Sequence, residues 1–334
     1  IHRFTFRMIF RLIEKIWYKK SIFLYALIPL EFIYWLLVQT KKLLFQVGLF
    51  KSEKLNIPVI IVGNLTVGGT GKTPLVIEIT RNLVENGYSP GIICRGYGGT
   101  IQDLPHLTSA EDSFLLTGDE ALLLSEETGC PVVVDSNRIR GCHWLINNAP
   151  IDIIISDDGL QHARLVGDIE IAVIDGKRRF GNRHLLPAGP LRESTTRLKT
   201  IDLVVVNNGT KMKNEYSMIG TLKYAVRILD GKQKELSTFN KITVDAICGI
   251  GNPDSFFDDL ANAGVKIQKH YYPDHHPYKP EDLAIFNSST LFMTSKDAIK
   301  CKQFAQADWW IIPQSIEIES DFITALFGKL QKSV

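Results

Sequence analysis

Short apolar runs separated by amphipathic stretches recur along residues 46–210 and predict a parallel sheet. Nearly every position of each run is apolar, which is typical of strands that are covered on both faces. A stretch with helical spacing of its apolar residues, 75–85, directly follows the first run and its turn. Strands that alternate with helices predict an α/β fold. The runs lie at 59–62, 91–94, 131–134, 151–155, 169–174 and 201–206.

The pattern changes after residue 210 and returns to the first kind after residue 241. Between these points, polar and apolar residues alternate, which predicts antiparallel strands with one face in solvent. We therefore predict four parts along the chain. They are an N-terminal helical segment at 1–45, a first lobe at 46–210, a β linker at 211–240 and a smaller C-terminal α/β lobe at 241–334.

The N-terminal segment combines apolar and basic residues in a way that is typical of membrane association. Residues 21–38 are mostly apolar and are flanked by lysine pairs, but Pro29 and Glu31 interrupt them, and their length is near the lower limit for a span. Residues 3–20 mix six basic side chains with apolar ones, which favours a helix lying on anionic lipid. We expect 1–45 to associate with a membrane, by crossing it or by lying in its plane. A helix packed on the protein core is the alternative.

Charge and cysteine content give no support for a nucleic-acid-binding, zinc-binding or disulfide-rich protein. A net charge of +2 over 334 residues gives no argument for a nucleic-acid partner. The five cysteines are scattered without a CxxC pair, so we expect neither a zinc site nor a disulfide framework. We infer no obligate protein partner. The chain begins with Ile1, and we expect that its start is trimmed.

A glycine-rich turn between the first apolar run and its helix is typical of a phosphate-binding loop. Backbone N–H groups of such a turn converge on phosphate, and the start of the helix adds positive charge. Lys72 is expected to reach the β- and γ-phosphates of a nucleotide, and the Thr73 hydroxyl to bind Mg²⁺. The predicted nucleotide contacts are Thr66, Val67, Gly68, Gly69, Thr70, Gly71, Lys72 and Thr73.

The turn departs from the general phosphate-loop pattern at one position. Thr66 stands where the pattern G-x-x-x-x-G-K-[ST] has its first glycine. We expect Gly68 and Gly69 to supply the missing backbone freedom. A glycine-rich turn that binds nothing is the alternative.

Acidic residues at the end of a later strand predict a metal site. Asp157 and Asp158 directly follow an apolar run, and acids at a strand end near a phosphate loop commonly hold Mg²⁺. A simple turn is the alternative. The long loop at 180–193 carries Arg192 and Glu193, and long loops in compact domains are usually functional or disordered. Its apolar content argues against disorder.

Three further segments stay open when they are judged from spacing alone. Arg95 follows a predicted strand, where it either faces a ligand or belongs to a plain turn. Asp119 and Glu120 fall in the first turn of a predicted helix, where compensation of the helix dipole is the favoured explanation. His275 and His276 lie at another strand end and are equally compatible with a structural and a catalytic role.

Taken in order, these motifs resemble those of the tetraacyldisaccharide 4′-kinase family of lipid A biosynthesis, over nearly the whole chain. The segments that carry the resemblance are GNLTVGGTGKTP at 63–74, RGYG at 95–98, GDE at 118–120, DDGLQH at 157–162, LPAGPLRE at 186–193, GIGNP at 249–253 and DH at 274–275. Thr66 itself is similar to the family's version of the loop. The chain departs from the family at Ser295, where a glutamate is usual, and at Arg183, where a glycine is usual.

The resemblance implies an ATP-dependent kinase that works at a membrane. Its substrate would be a tetraacylated glucosamine disaccharide 1-phosphate in the lipid, and the 4′-hydroxyl would receive the phosphoryl group to give lipid IVA. The enzyme would lie on the cytoplasmic face of the inner membrane. Its fold would have two α/β/α lobes with a cleft between them and a core like that of P-loop NTPases.

The resemblance also implies roles for individual residues. Asp119 would be the catalytic base, oriented or assisted by His275 from the second lobe, so that catalysis depends on lobe closure. Lys72 would neutralise charge on the transferred group. Arg192 and Arg95 would contact phosphates of the nucleotide or the lipid. The expected direct or water-mediated ligands of Mg²⁺ are Thr73, Asp157, Asp158 and Glu193.

Two other classes of protein share parts of this pattern. A P-loop switch or ATPase that moves a membrane partner would carry a similar loop and N-terminal helix. A nucleotide-binding module without chemistry is the other alternative, and the acids at strand and helix ends argue against it. Whether His275 or His276 acts stays open.

Overall fold

The computed structural model describes residue 13, residues 16–19 and residues 21–333. Most of the basic stretch predicted to lie on lipid, residues 3–12, 14, 15 and 20, is outside the described residues. The described chain forms two compact units. The first comprises the chain up to residue 72 with 158–217 and the C-terminal stretch from 319, and the second comprises 73–157 and 218–318. The predicted four-part division by pattern stays a prediction.

Each of the six apolar runs of the first lobe contains or overlaps a strand of the described chain. In chain order they are β1 (Val59–Gly63), β2 (Pro90–Cys94), β3 (His106–Leu107), β4 (Val132–Val134), β5 (Ile153–Asp157), β6 (Ile169–Asp175), β7 (Leu203–Asn207), β8 (Tyr216–Thr221), β9 (Tyr224–Arg227), β10 (Gln233–Glu235), β11 (Thr243–Cys248), β12 (Lys266–Tyr271), β13 (Leu291–Thr294), β14 (Trp309–Ile312) and β15 (Ser315–Ile318).

Helices and strands alternate in parts of the chain, whereas β5 to β11 follow one another without an α-helix between them. In chain order they are α1 (Leu24–Gln46), α2 (Lys72–Glu85), α3 (Phe114–Thr117), α4 (Asp119–Thr128), α5 (Arg138–Asn148), α6 (Pro253–Asn262), α7 (Pro280–Leu283), α8 (Ser295–Cys301) and α9 (Ser320–Ser333). Helix α2 begins three residues earlier than the spacing predicted, at Lys72, since the glycine-rich turn ends directly in helix.

The first unit is built on three parallel strands in the order β7-β6-β1. Ile60 of β1 pairs with Ile169 of β6, and Ile171 of β6 pairs with Leu203 of β7. Every residue of β1 is buried, as an unbroken apolar run requires. The strand ends at the glycine-rich turn, so the sheet fixes where that turn starts.

The second unit contains two larger groups of paired strands. One has the order β5-β2-β4-β3, in which the first three strands are parallel and β3 is antiparallel to β4. The other has the order β10-β9-β14-β13-β11-β12, with β11 to β14 parallel. Its core contains Phe257, Phe292 and Trp310, all essentially inaccessible to solvent. The parallel α/β fold predicted from the apolar runs is confirmed.

The alternating stretch at 211–240 forms antiparallel strands. Strand β9 pairs with β10 on one side and with β14 on the other, and β8 pairs with β15. The period-two pattern therefore predicted the strand type correctly. Strands β9 and β10 extend the sheet of the second unit.

Helix α1 contains the apolar segment 21–38 from Leu24 onward and exposes most of it. None of its residues is buried, and Pro29 lies inside it. Tyr25 is 71% exposed, Phe32 61% and Leu37 65%. Across the part of the chain that the structure describes, no helix combines the length and the hydropathy that a membrane span needs.

Candidate active site

The glycine-rich turn after β1 places glycine where the backbone requires it. Gly68 and Gly71 have φ angles of +104° and +94°, which residues with a Cβ rarely adopt. The two glycines with a positive φ are therefore Gly68 and Gly71. From the sequence, Gly68 and Gly69 were expected to supply the backbone freedom. Thr66 forms an isolated antiparallel bridge with Leu191, a conformation that needs no glycine. This bridge explains why the first glycine of the general pattern is dispensable here.

The first unit gathers two cations around one carboxylate beside this turn. Lys72 Nζ lies 3.4 Å from Asp158 Oδ1, and Arg192 Nη1 lies 3.0 Å from Asp158 Oδ2. Burial raises the pKa of Asp158, but the charges of Lys72 and Arg192 outweigh it and lower the pKa to about 2. The carboxylate is therefore ionised at neutral pH. Lys72 and Arg192, which were expected to contact phosphate, both contact the Asp158 carboxylate.

A glutamine that the sequence analysis did not single out joins these groups. Gln161 Nε2 donates to Asn64 O at 3.0 Å and to Glu193 Oε1 at 3.2 Å, while its Oε1 accepts from Arg192 Nη1 at 3.3 Å. In the sequence, only its position in the DDGLQH motif could have indicated that Gln161 belongs to the site. Gln161 ties the turn to the loop that carries Arg192 and Glu193.

The loop at 184–193 is hydrogen-bonded to the glycine-rich turn. Val67 N–H donates to Pro190 O at 2.8 Å, and Arg192 N–H donates to Leu65 O at 2.7 Å. The apolar content of this loop argued against disorder, and its hydrogen bonds to the turn agree with that. Because the backbones are joined, the position of Arg192 depends on the conformation of the turn.

Polar side chains of α1 contact the same loop. Tyr34 OH donates to Arg192 O at 3.0 Å, and Lys42 Nζ lies 2.9 Å from Glu193 Oε2. Glu31 accepts from Leu185 N–H at 2.7 Å. Glu31, Tyr34 and Lys42 lie on one face of the helix, since they are spaced by three and eight residues. In the sequence, Glu31 interrupts an apolar segment, whereas in the structure it attaches the helix to the loop.

In the second unit, the first residue of α4 meets a histidine that follows β12. His275 Nδ1 lies 2.9 Å and 3.0 Å from the two oxygens of Asp119. The Asp119 side chain is 4% exposed and that of His275 is 22% exposed. The two residues are in contact within one compact unit, and the dependence of catalysis on lobe closure stays a prediction.

Electrostatics keep the two members of this pair in different states. Burial raises the pKa of Asp119, but the hydrogen bond with His275 and the charges of Lys296 and Lys300 outweigh it and lower the pKa to about 2. The hydrogen bond to Asp119 raises the pKa of His275 above its ordinary value. A carboxylate that stays ionised beside an imidazole of raised pKa can orient the ring and stabilise its protonated form.

The neighbouring histidine has a different environment. His276 Nε2 lies 3.2 Å from Asp282 Oδ2, and its ring packs against Tyr278 with centroids 4.9 Å apart. His275 has a positive φ of +56°, and its N–H donates to Gly249 O at 3.1 Å. Such a backbone conformation is costly for a residue with a Cβ and recurs at functional sites. Of the two histidines, His275 therefore has the backbone conformation that is typical of a functional residue.

The RGYG segment packs against this pair. The Tyr97 ring lies against that of His275 with centroids 5.0 Å apart. A Cβ at Gly118 would lie 2.7 Å from Tyr97 O, so the segment and the start of α4 fit only because Gly118 has no side chain. Arg95 follows β2 and is exposed. Three motifs that are far apart in the chain thus meet around Asp119, and sequence reasoning assigned no role to Tyr97.

The expected magnesium ligands have suitable chemistry but separate partners. Carboxylate and hydroxyl oxygens are the donors that Mg²⁺ takes in phosphoryl-transfer enzymes. Thr73 and Asp157 are buried. Asp158 is paired with Lys72 and Arg192, and Glu193 with Lys42. Among the described residues, no three His, Cys, Asp or Glu side chains are grouped as a metal site. The ligand set stays a prediction.

Comparison with known proteins gives one consistent result. The model of a family described as tetraacyldisaccharide-1-P 4′-kinase matches residues 23–331. The tetraacyldisaccharide 4′-kinase of Nitrosococcus oceani is 42% identical over 322 residues, which are 96% of this chain and 95% of that protein. That of Ruthia magnifica is 41% identical over 311 residues, covering 93% and 98%.

A solved structure has the same fold. The structure of LpxK from Aquifex aeolicus in complex with ATP superposes with a TM-score of 0.77 at 24% identity. The match covers 92% of this chain and 100% of that one. At this identity, the likeness establishes the α/β fold.

Proposed function

The chain belongs to the tetraacyldisaccharide-1-P 4′-kinase family, and we propose that it transfers the γ-phosphoryl group of ATP to the 4′-hydroxyl of a tetraacylated glucosamine disaccharide 1-phosphate. The product is lipid IVA. The match of the family to residues 23–331 carries this proposal. It favours a kinase over the P-loop switch or ATPase that the sequence left open. The parallel strands around the turn would form a core like that of P-loop NTPases, in a fold of two α/β/α lobes.

The nucleotide would be bound by the glycine-rich turn. Gly68 and Gly71 have positive φ angles and no Cβ atoms, so backbone N–H groups of the turn can approach phosphate closely. Lys72 and Arg192 would exchange their contact with Asp158 for phosphate oxygens. Neutralising charge on the transferred group is the main source of rate in phosphoryl transfer.

The acceptor hydroxyl would be deprotonated by the pair in the second unit. Asp119 would accept the hydroxyl proton, and it is the stronger base when the imidazole of His275, whose pKa is raised, is neutral. Because the two groups are 2.9 Å apart, they titrate as one unit. The active form is the ionised carboxylate beside the neutral imidazole.

Magnesium would accompany ATP. Thr73, Asp157, Asp158 and Glu193 would hold it, directly or through water, since they offer the oxygen donors that this ion prefers. When bound, the ion supplies positive charge against the phosphoryl oxygens.

We further propose that α1 associates with the cytoplasmic face of the inner membrane. Its exposed apolar side chains and the polar contacts of Glu31, Tyr34 and Lys42 on another face support this. The acyl chains of the substrate cost about 0.8 kcal/mol per CH₂ to remove from lipid, so the enzyme has to work at the surface.

A direct assay tests the proposed function. The full chain is incubated with radiolabelled ATP, Mg²⁺ and the lipid disaccharide 1-phosphate in mixed micelles. We expect label in a bis-phosphorylated lipid and no ATP consumption without the lipid acceptor. ATP hydrolysis that is independent of the disaccharide would instead favour the switch or ATPase.

A further inference from the structure

Lys300 is a buried lysine that lies between two carboxylates. Its Nζ is 3.4 Å from Asp119 Oδ2 and 3.2 Å from Asp297 Oδ1, and the side chain is 1% exposed. It also lies over the Tyr278 ring, 5.3 Å from the centroid. A buried ammonium group is costly unless it is paired, and apolar side chains in place of a whole buried group of ion pairs are often no less stable. Its presence therefore calls for an explanation beyond packing.

The second carboxylate, Asp297, connects Lys300 to the histidine. Asp297 is inaccessible to solvent and accepts hydrogen bonds from Gly249 N–H at 3.2 Å and from Tyr278 OH at 3.2 Å. Gly249 O in turn accepts from the N–H of His275. The contacts of Lys300 thus lead to both members of the pair, directly to Asp119 and through Asp297 and Gly249 to the backbone of His275.

The strand-end glycine in this chain of contacts has no room for a side chain. A Cβ at Gly249 would lie 2.8 Å from Tyr278 Oη and 3.0 Å from Asp297 Oδ1. The left-handed backbone of His275 is therefore held by a tightly packed turn. Lys300 lies at the point where this turn and the start of α4 meet.

We propose that Lys300 is a positioning residue for phosphoryl transfer, which fixes the Asp119 carboxylate with both oxygens towards His275 Nδ1. This inference rests on the proposed function and assigns a role within the same site. Lys300 acts through Asp119 and has no direct part in the reaction.

The charges around Asp119 indicate what Lys300 contributes. Two positive groups besides His275 face it, Lys300 and Lys296, and Lys296 is paired with Glu120 at 2.6 Å. The nearby acids are Glu120 and Asp274, and Asp274 lies 3.7 Å from His275 Nε2. Loss of the Lys300 charge would leave the negative groups less compensated, so protonation of the pair would become easier.

Replacement of the lysine by methionine tests the proposal. Lys300→Met keeps the volume and removes the charge, and it is assayed in the full chain with ATP, Mg²⁺ and the lipid disaccharide. We expect kcat to fall by about 10²-fold because the base is misplaced, with KM for ATP unchanged. The acid limb of the kcat–pH profile should move to higher pH. Lys302 is an exposed lysine paired with Glu126, and Lys302→Met serves as the control. This control should change neither kcat nor the position of the acid limb.

A charge-conserving variant decides the matter if Lys300→Met fails to fold. Lys300→Arg keeps the positive group, so the acid limb should stay at its wild-type pH and kcat should exceed that of any folded neutral variant. A folded Lys300→Met with wild-type kcat and pH profile would overturn the inference. A folded Lys300→Arg whose acid limb is displaced from the wild-type pH would also overturn the inference. Failure of the wild-type chain to phosphorylate the disaccharide would instead overturn the proposed function.

Discussion

Nδ1 of His275 lies nearly equidistant from the two carboxylate oxygens of Asp119, at 2.9 Å and 3.0 Å. Both oxygens therefore face the ring. In a buried position, this arrangement keeps the carboxylate ionised and fixes the plane of the imidazole. If the pair accepts the hydroxyl proton, changes to either residue should alter the rate more than the binding of ATP.

We expect Asp119→Asn to reduce kcat by about 10²–10⁴-fold, the range of a lost general base. KM for ATP should change little, because the glycine-rich turn and Lys72 are untouched. Steady-state kinetics with the lipid acceptor measures both constants. Glu126→Gln, an exposed change on the same helix, is the matched control. A kcat within a few-fold of wild type in Asp119→Asn would remove Asp119 from the mechanism.

The raised pKa of His275 predicts a pH profile with a definite sign. The pair is active when the imidazole is neutral, so kcat should rise with pH as the raised pKa is passed. The midpoint of the acid limb should lie above the ordinary histidine value of 6.5. His275→Asn should abolish this limb, whereas His106→Asn, at a histidine paired with Asp112, should retain it. A midpoint at or below 6.5 would contradict the assignment.

Lys72→Ala should lose both nucleotide affinity and rate. The lysine and Arg192 share the carboxylate of Asp158, and the lysine is the expected ligand of the β- and γ-phosphates. Calorimetric titration with a non-hydrolysable ATP analogue measures the affinity separately from turnover. Lys213→Ala, at an exposed position of the same unit, should bind like the wild type. Normal affinity in Lys72→Ala would refute the assignment of the phosphate loop.

Much of the fold was predictable from the sequence because buried parallel strands are apolar at consecutive positions. The run at 59–62 and its glycine-rich turn therefore identified β1 and the start of α2 within three residues. The side-chain partners were not predictable in this way. Asp119 and His275 are 156 residues apart, and nothing in the spacing brings them together. Their pairing followed from the family resemblance alone.

Other contacts were missed because the same residue type fits two different environments. The position of a residue along the chain does not show which environment it occupies. Glu31 interrupts an apolar segment, which weakened the case for a membrane span, but it also faces the loop at 184–193. Lys300 occupies a helix position that is ordinary for a surface lysine, and only the packed structure shows that it is buried. Burial and long-range partners depend on tertiary structure, and a pattern of residue types does not contain them.

The contact between Tyr34 and the loop predicts an effect on ATP. Tyr34→Phe removes the hydrogen bond to Arg192 O, whose net contribution of about 1 kcal/mol corresponds to roughly fivefold in an equilibrium. We expect KM for ATP to rise by a few-fold with kcat little changed, because Arg192 is then less well positioned. Tyr25→Phe, an exposed change on the same helix, is the control. An unchanged KM in Tyr34→Phe would show that the helix does not influence the nucleotide site.

The exposed apolar face of α1 predicts binding to lipid that polar substitutions weaken. Phe32 and Leu37 are both largely exposed, so replacing each with serine should leave the fold intact. Full burial of such a side chain is worth about 1.5–3 kcal/mol, and partial insertion of two should still lower vesicle affinity by at least about tenfold. Flotation with vesicles of anionic phospholipid measures this. Leu229→Ser, an exposed leucine of the second unit, should float like the wild type. Equal flotation of the double variant and the wild type would mean that α1 does not carry the membrane contact.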